Sequence, residues 1–157
     1  AVVELLRDQN LTLSLAESCT GGAVAARIVN VPGASEVFLN GYVTYSNKAK
    51  RKSLLVKKST LKKEGAVSEK CAKEMAKGGC MAGKTDLCLS VTGLAGPEGG
   101  TKETPVGTVY MGCCYRGKTT VQKFFFTGNR MRIREQAVTS ALVMLRECIM
   151  DAAAADS

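Results

Sequence analysis

Three side chains that can act as nucleophiles stand next to one another in the segment LAESCTGG: those of Ser18, Cys19 and Thr20. Two glycines, Gly21 and Gly22, follow them directly. Apolar and polar residues alternate before the segment, as in a strand, and an alanine-rich helical pattern follows it. A nucleophile at a strand-to-helix turn meets free N–H groups that can hold an oxyanion, so the segment indicates acyl-transfer chemistry.

A nucleophile of this kind needs a base, and the chain contains no histidine. Schemes built on Ser-His-Asp or Cys-His are therefore excluded. The segment YSNKAK supplies Tyr45, Lys48 and Lys50. Lysine has an ordinary pKa of about 10.4, so a lysine base near pH 7 needs a pKa lowered by about three units, equivalent to about 4 kcal/mol. Burial and neighbouring cations can lower the pKa of a lysine in this way.

The same segment also has a purely structural interpretation. Ser18 or Thr20 could cap the following helix by accepting hydrogen bonds from the N–H groups of its first turn. Cys19 is a competing nucleophile, because a helix N-terminus favours the thiolate form of a cysteine. The residues alone leave the cap, the serine nucleophile and the cysteine nucleophile as open alternatives.

The elements that must position these residues alternate between helix and strand. Periodicity and capping signals predict helices over residues 2–9, 19–29, 47–55, 68–79 (with Ser68 as the cap) and 130 to about 151. Strands are predicted over residues 11–17, 42–46 and 85–93, and a hairpin over residues 106–126 turns at Arg116–Gly117. This order predicts one α/β domain over residues 1–157, an α/β/α sandwich in which helices cover both faces of a mixed, partly parallel sheet.

One phosphate-binding pattern is misleading. The segment GGCMAGKT, residues 78–85, satisfies the P-loop pattern G-x-x-x-x-G-K-[ST]. That motif requires a strand before it and a helix after it, so that helix N–H groups face the phosphates. The predicted order here is the reverse, with a helix ending at the glycines and a strand following. We therefore interpret the glycines as a helix C-cap and a short turn.

Composition limits the compartment and the partners. The net charge is +8, but the basic residues are spread along the chain and aromatic residues make up only 5%, which disfavours nucleic-acid binding. The seven cysteines form no C-x-x-C pair, a spacing that indicates neither disulfides nor a zinc site, but buried thiols in a reducing cytoplasm. No apolar run approaches the length of about 20 residues that spans a membrane.

Several ordered segments together resemble one known family. They are AESCTGG, VPGAS, GYVTYSNKAK, GAVSE, VTGLAGPEGGT, PVGTVY and TGNR. The chain resembles the C-terminal domain of the competence/damage-inducible CinA proteins, the nicotinamide-nucleotide amidohydrolase (NMN deamidase) family, from about Leu13 to about Leu145. The resemblance implies an α/β/α sandwich on a mixed sheet, in agreement with the predicted element order.

The resemblance also implies roles for individual residues. Ser18 matches the family's nucleophile, Lys50 its base and Tyr45 a helper in proton transfer. Contacts with the substrate are implied for Gly33, Thr92 and Arg130. Independently of the resemblance, the N–H groups around Thr20, Gly21 and Gly22 are expected to bind the substrate by holding its oxyanion. The chain departs from the family at Asn129, where the family usually has Asp, and this departure bears on the pairing of Arg130.

The implied reaction is hydrolysis of the carboxamide of nicotinamide mononucleotide to nicotinate mononucleotide and ammonia, a step of pyridine nucleotide salvage. It implies no metal and no cofactor, a cytoplasmic enzyme and a homo-oligomer. A non-catalytic CinA-like domain that senses a nucleotide or binds a partner is the alternative function. A third, DNA-associated role would rest only on the family's name and the positive charge.

Overall fold

The computed structural model describes residues 1–156, and its strands form one mixed sheet. The strands are β1 (Leu13–Glu17), β2 (Phe38–Val43), β3 (Leu87–Gly93), β4 (Thr108–Tyr115) and β5 (Lys118–Phe125), in the spatial order β2-β1-β3-β4-β5. β1 pairs in parallel with both β2 and β3, whereas β3, β4 and β5 pair antiparallel. The carboxyl ends of β1, β2 and β3 therefore meet at one edge of the sheet, where the loops that follow them lie together.

Helices cover both faces of this sheet, as the sequence predicts. They are α1 (Val2–Asp8), α2 (Ala23–Val29), α3 (Asn47–Leu54), α4 (Lys58–Lys63), α5 (Glu69–Gly83) and α6 (Arg130–Asp156). Leu13 and Leu15 of β1 join the core beneath α1, α2 and α6, whereas Ala16 joins a second apolar cluster with α3 and α5. No helix within residues 1–156 is long and apolar enough to cross a membrane.

The predicted bounds of β2 and α6 were wrong, and two short helical elements were missed. The second strand is Phe38–Val43 rather than residues 42–46, and its residues Asn40 and Gly41 have low strand propensity. α4 was missed, because its sequence KSTLKK has three lysines and no apolar stripe. A short 3₁₀ helix, Ala34–Glu36, was also missed. α6 continues to Asp156, beyond the predicted end near residue 151.

The glycines of the false P-loop pack α5 against its neighbours. The helix-then-strand order is confirmed, since α5 ends at Gly83 and β3 follows, but Gly78 and Gly79 lie inside α5 and are not a C-cap. A Cβ atom on Gly78 would clash with the carbonyl oxygen of Leu54, the last residue of α3. Gly78 therefore lets α3 and α5 approach closely, and Gly79 lets α5 pack closely on Cys88 of β3.

Candidate active site

Ser18 lies directly after β1, at the sheet edge where the parallel strands end. Its N–H donates to the carbonyl oxygen of Val91 on β3, at 2.9 Å, so the residue remains tied to the neighbouring strand. Ser18 is 8% exposed. The backbone of Ser18 is thus held by the sheet, and the residue is buried apart from a small exposed part.

Lys50 reaches the same point from α3. The hydroxyl of Ser46 caps this helix by accepting a hydrogen bond from Ala49 N–H at 3.1 Å. Lys50 is only 1% exposed. Its Nζ atom lies 2.8 Å from Ser18 Oγ and donates to the carbonyl oxygens of Thr44, at 2.7 Å, and Tyr45, at 3.3 Å.

Burial favours the neutral form of the Lys50 amine, which is the form that can accept a proton. It lowers the pKa of the amine from its ordinary value of 10.5, and the thiols of Cys71 and Cys19 oppose this effect only in part. A neutral amine has two N–H groups and one lone pair. The two carbonyl oxygens can accept the N–H groups, which leaves the lone pair to accept the proton of the Ser18 hydroxyl.

Cys19 is poorly suited to act as the nucleophile. Its side chain is buried, and desolvation raises the pKa of its thiol to about 11, although the charges of Arg134 and Lys50 lower it somewhat. The reactive thiolate is therefore scarce near neutral pH. The helix N-terminus that would have favoured the thiolate is occupied by another group.

That group is the carboxylate of Glu17, which sequence reasoning missed. Its Oε1 atom accepts from the hydroxyl of Thr20 at 2.6 Å and from Val24 N–H at 2.9 Å, and Oε2 accepts from Ala25 N–H at 3.0 Å. Neither Ser18 nor Thr20 caps α2, so the capping interpretation was wrong for both. Glu17 is the last residue of a buried strand, and no local sequence signal shows that the chain turns back over it.

The turn after Ser18 leaves one of the expected oxyanion donors available. Gly21 and Gly22 have φ angles of 60° and 99°, which side-chain-bearing residues rarely adopt. Gly21 N–H already donates to the Ser18 carbonyl oxygen at 3.0 Å, and Thr20 is fully buried. Within residues 1–156 no acceptor binds the N–H of Gly22, which is partly exposed. Gly22 is therefore the accessible donor of the three.

Arg130 and Tyr45 form a second polar group at this edge. Arg130, the first residue of α6, donates from Nη1 to the carbonyl oxygen of Gly96 at 2.7 Å and from Nη2 to the hydroxyl of Tyr45 at 2.8 Å. Tyr45 is 59% exposed. The structure thus brings the Tyr45 carbonyl to Lys50 and its hydroxyl to Arg130, and its role in proton transfer stays a prediction.

Asn129, where the sequence departs from the expected Asp, caps α6. Asn129 Oδ1 accepts a hydrogen bond from Arg132 N–H at 2.9 Å, in the first turn of α6. Asn and Asp are equally good at this position. The departure therefore does not disturb Arg130, whose guanidinium binds Tyr45 and Gly96 instead.

Of the two remaining predicted substrate contacts, Thr92 lies near Ser18 and Gly33 does not. Thr92 follows Val91, the partner of Ser18, and its hydroxyl donates to the carbonyl oxygen of Ala66 at 2.8 Å. Gly33 lies before the 3₁₀ helix that leads into β2, next to Arg7. Since β1 and β2 are parallel, the loop before β2 lies at the amino ends of these strands, whereas Ser18 lies at their carboxyl ends. Within one chain, Gly33 is not grouped with the other site residues.

Two further observations complete the description. Within residues 1–156, no three His, Cys, Asp or Glu side chains lie close enough together to hold a metal ion. A groove of about 670 Å³ runs between α2 and α6, with Arg27, Met131 and Arg134 among its lining residues. It includes neither Ser18 nor Lys50, and Arg134 lies between the groove and the turn that follows Ser18.

Comparison with known proteins identifies relatives along nearly the whole chain. The family model described as the CinA C-terminal domain matches residues 1–149. A CinA-like protein of Kosmotoga olearia is 54% identical over 149 residues, covering 95% of this chain and 36% of the relative. A protein of Clostridium perfringens named as competence-damage inducible is 54% identical over 145 residues, covering 92% of this chain and 35% of the relative. The chain thus spans about a third of the length of these curated relatives.

Solved structures of similar proteins share the fold. A CinA superfamily protein from Klebsiella pneumoniae superposes with a TM-score of 0.91 at 37% identity, covering 96% of this chain and 94% of the other. A CinA superfamily protein from Escherichia coli gives a TM-score of 0.89 at 34% identity, covering 94% of this chain and 90% of the other. The mixed sheet and its helices are therefore those of this superfamily.

Proposed function

The chain belongs to the CinA C-terminal domain family, and we propose that it is an amidohydrolase that converts nicotinamide mononucleotide to nicotinate mononucleotide and ammonia. The observation that carries the proposal is the 2.8 Å contact between Lys50 Nζ and Ser18 Oγ, made by a lysine that is buried and has a lowered pKa. A buried amine beside a hydroxyl is the arrangement that a serine–lysine mechanism needs.

Ser18 would open the reaction. Neutral Lys50 accepts the proton of the Ser18 hydroxyl as Oγ bonds to the carboxamide carbon, and the negative charge moves to the carboxamide oxygen. Gly22 N–H donates to that oxygen. The C–N bond then breaks, Lys50 returns the proton to the leaving nitrogen, and ammonia departs from an ester on Ser18. Water, deprotonated by Lys50, attacks the ester, releases the carboxylate product and restores the Ser18 hydroxyl.

Charge supports a phosphate-bearing substrate. Arg130 presents a guanidinium at the site edge, and an Arg–phosphate pair is a strong, charge-assisted interaction. The segment 45–63 contains no Asp or Glu and carries seven exposed cations: Lys48, Arg51, Lys52, Lys57, Lys58, Lys62 and Lys63. Together with the net charge of +8, they would attract an anion towards α3. The pyridinium ring of the substrate is cationic and would help to keep Lys50 neutral.

Tyr45 is the candidate for assisting proton transfer. Its carbonyl oxygen already accepts from Lys50, so the residue is anchored to the base. Its hydroxyl accepts a hydrogen bond from Arg130 at 2.8 Å. A phosphate that takes Arg130 would free the Tyr45 hydroxyl to turn towards the reacting groups.

We place the enzyme in the cytoplasm and propose that it forms a homo-oligomer. All seven cysteines are free thiols, as a reducing compartment favours. Leu39 and Val43 on the edge strand β2 are 48% and 52% exposed, and an exposed apolar edge is suited to pairing with a second copy. Gly33 lies away from Ser18 of its own chain. A second copy would therefore also explain the predicted contact between Gly33 and the substrate, by bringing its own Gly33 to the site.

The test is ammonia release from nicotinamide mononucleotide, with product identified by chromatography, for wild type, Ser18→Ala and Cys19→Ala. We expect turnover by wild type, loss of turnover in Ser18→Ala with an unchanged fold, and Cys19→Ala within a few-fold of wild type. Binding of the mononucleotide without turnover by wild type would instead indicate a nucleotide-sensing domain. Activity in Ser18→Ala combined with its loss in Cys19→Ala would make Cys19 the nucleophile.

A further inference from the structure

One arginine holds two consecutive peptide carbonyls of the turn that carries the candidate nucleophile. Arg134 donates from Nε to the carbonyl oxygen of Cys19 and from Nη2 to that of Thr20, both at 3.0 Å. A peptide unit is planar, so fixing its oxygen fixes its whole orientation. The Thr20 carbonyl also accepts from Ala23 N–H at 3.0 Å, and Gly21 N–H donates to the Ser18 carbonyl. The Arg134 bonds add to these backbone bonds, and the bond to the Cys19 carbonyl ties that peptide unit of the turn to α6.

The same turn is fixed from the opposite side by Glu17. This carboxylate accepts from the Thr20 hydroxyl and from two N–H groups of α2, as described above. Glu17 thus holds the turn to α2, whereas Arg134 holds it to α6. Of these two groups, only Arg134 binds the peptide units between Ser18 and Gly22.

The position of Arg134 on α6 connects the turn to the expected phosphate end of the site. Arg134 follows Arg130 by four residues, which is about one helical turn, or 6 Å along the axis. Arg130 binds Tyr45 and Gly96 while Arg134 binds the turn. One rigid helix therefore sets the distance between the candidate phosphate-binding group and the candidate nucleophile.

We propose that Arg134 is a positioning residue, which holds the Cys19 and Thr20 carbonyls so that Ser18 Oγ and Gly22 N–H keep their reactive geometry. This inference rests on the proposed function, which it deepens. Arg134 touches no reacting atom, so its loss should reduce kcat rather than substrate affinity. A misplacement of about 1 Å at a reacting group can cost about 100-fold in rate.

Arg134 is not needed to dock α6. The helix is anchored by buried apolar residues, including Ile133, Ala137 and Val138. Arg134 itself is only partly buried, and it forms no ion pair within residues 1–156. Its substitution should therefore leave the fold intact while loosening the turn.

The experiment compares Arg134→Gln and Arg134→Lys with wild type and with a matched control, Arg132→Gln. Arg132 is an exposed cation of the same helix whose side chain lies outside the site. Three properties are measured: kcat and KM for nicotinamide mononucleotide, the melting temperature, and the rate at which a fluorophosphonate labels Ser18. In that labelling the Ser18 Oγ–P bond forms, the P–F bond breaks, fluoride leaves and Lys50 takes the proton.

We expect Arg134→Gln to lower both kcat and the labelling rate by about 10- to 100-fold, with KM within about threefold of wild type. Arg134→Lys should recover only part of the rate, because an ammonium lacks the planar fork that spans two carbonyls. Arg132→Gln should match wild type in all three properties. If Arg134→Gln does not fold, Arg134→Lys carries the test alone.

The outcomes separate this inference from the proposed function. Wild-type rates of turnover and labelling in folded Arg134→Gln and Arg134→Lys would overturn the positioning role and leave the amidohydrolase proposal intact. A wild type that is labelled at Ser18 but releases no ammonia would overturn the proposed substrate, while the labelling rates still decide the role of Arg134. A wild type that neither releases ammonia nor is labelled at Ser18 would overturn both.

Discussion

The Nζ atom of Lys50 lies 2.8 Å from the Oγ atom of Ser18, although 32 residues separate them in the chain. The sheet places Ser18 at the carboxyl end of β1, and α3 carries Lys50 to the same edge after the adjacent strand β2. Lys50 is almost completely buried there and has no carboxylate partner within residues 1–156. A fully buried amine is costly to a fold, so its presence beside a hydroxyl points to catalysis.

Arg130→Ala should weaken binding of the phosphate group of nicotinamide mononucleotide. An Arg–phosphate hydrogen bond contributes about 1.5–3 kcal/mol, so KM for nicotinamide mononucleotide should rise about 10- to 100-fold. KM for nicotinamide riboside, which lacks the phosphate, should change by less than about threefold, and steady-state kinetics on both substrates measure the difference. Equal losses for the two substrates would remove the phosphate role from Arg130.

Glu17→Gln should destabilise the protein. Glu17 is 1% exposed and accepts three hydrogen bonds, two of them from N–H groups of α2. An amide offers one acceptor oxygen and brings two donors into a site built for acceptors, so we expect a loss of about 1–3 kcal/mol in the free energy of unfolding. Denaturant titration measures the loss, with the exposed Glu98→Gln as control. Equal stability of the two variants would show that the cap is dispensable.

The buried lysine should also make stability depend on pH. Its pKa is lowered in the folded protein and near 10.5 in the unfolded chain, so between these two values the unfolded chain binds more protons. The free energy of unfolding that Lys50 contributes is therefore fully present above about pH 10.5, where the amine is neutral in both states. It is lost as the pH falls to the lowered pKa, because the folded state must then bury a charged amine.

Lys50→Met isolates this effect, since methionine cannot titrate. The free energy of unfolding of wild type minus that of Lys50→Met should increase as the pH rises towards 10.5, and should stop changing below the pKa of the folded state. Urea titrations of both proteins at several pH values provide the measurement. A difference that stays constant across this range would mean that the pKa of Lys50 is not lowered by folding.

Local signals account for the parts of the fold that were predicted correctly. The Ser68 cap of α5 is confirmed, since its hydroxyl accepts from Cys71 N–H at 3.2 Å. The hairpin does turn at Arg116–Gly117, and both residues have the positive φ angles of a type I′ turn. The second strand was predicted with shifted bounds, because Asn40 and Gly41 interrupt its apolar pattern, and α4 escaped prediction because its polar sequence carries no periodic apolar pattern.

The site was predictable only in part, for a related reason. Ser18, Tyr45, Lys50 and Arg130 were selected by family resemblance, and the structure brings Ser18 to Lys50 and Tyr45 to Arg130. The contacts of Arg134 join groups 114 and 115 residues apart, which no local pattern encodes. The glycines of α5 were misread because they allow close approaches to residues distant in sequence, with Gly78 against Leu54 and Gly79 against Cys88.

The most direct test of the central claim is the rate of ammonia release from nicotinamide mononucleotide by Lys50→Arg, measured beside wild type and Lys48→Arg. Arginine keeps the positive charge but stays protonated, so it cannot accept the proton of Ser18. Lys48 is an exposed cation of the same helix and serves as the matched control. We predict loss of activity by about 1,000-fold or more in Lys50→Arg and a rate near wild type in Lys48→Arg. A Lys50→Arg enzyme within a few-fold of wild type would contradict the serine–lysine mechanism.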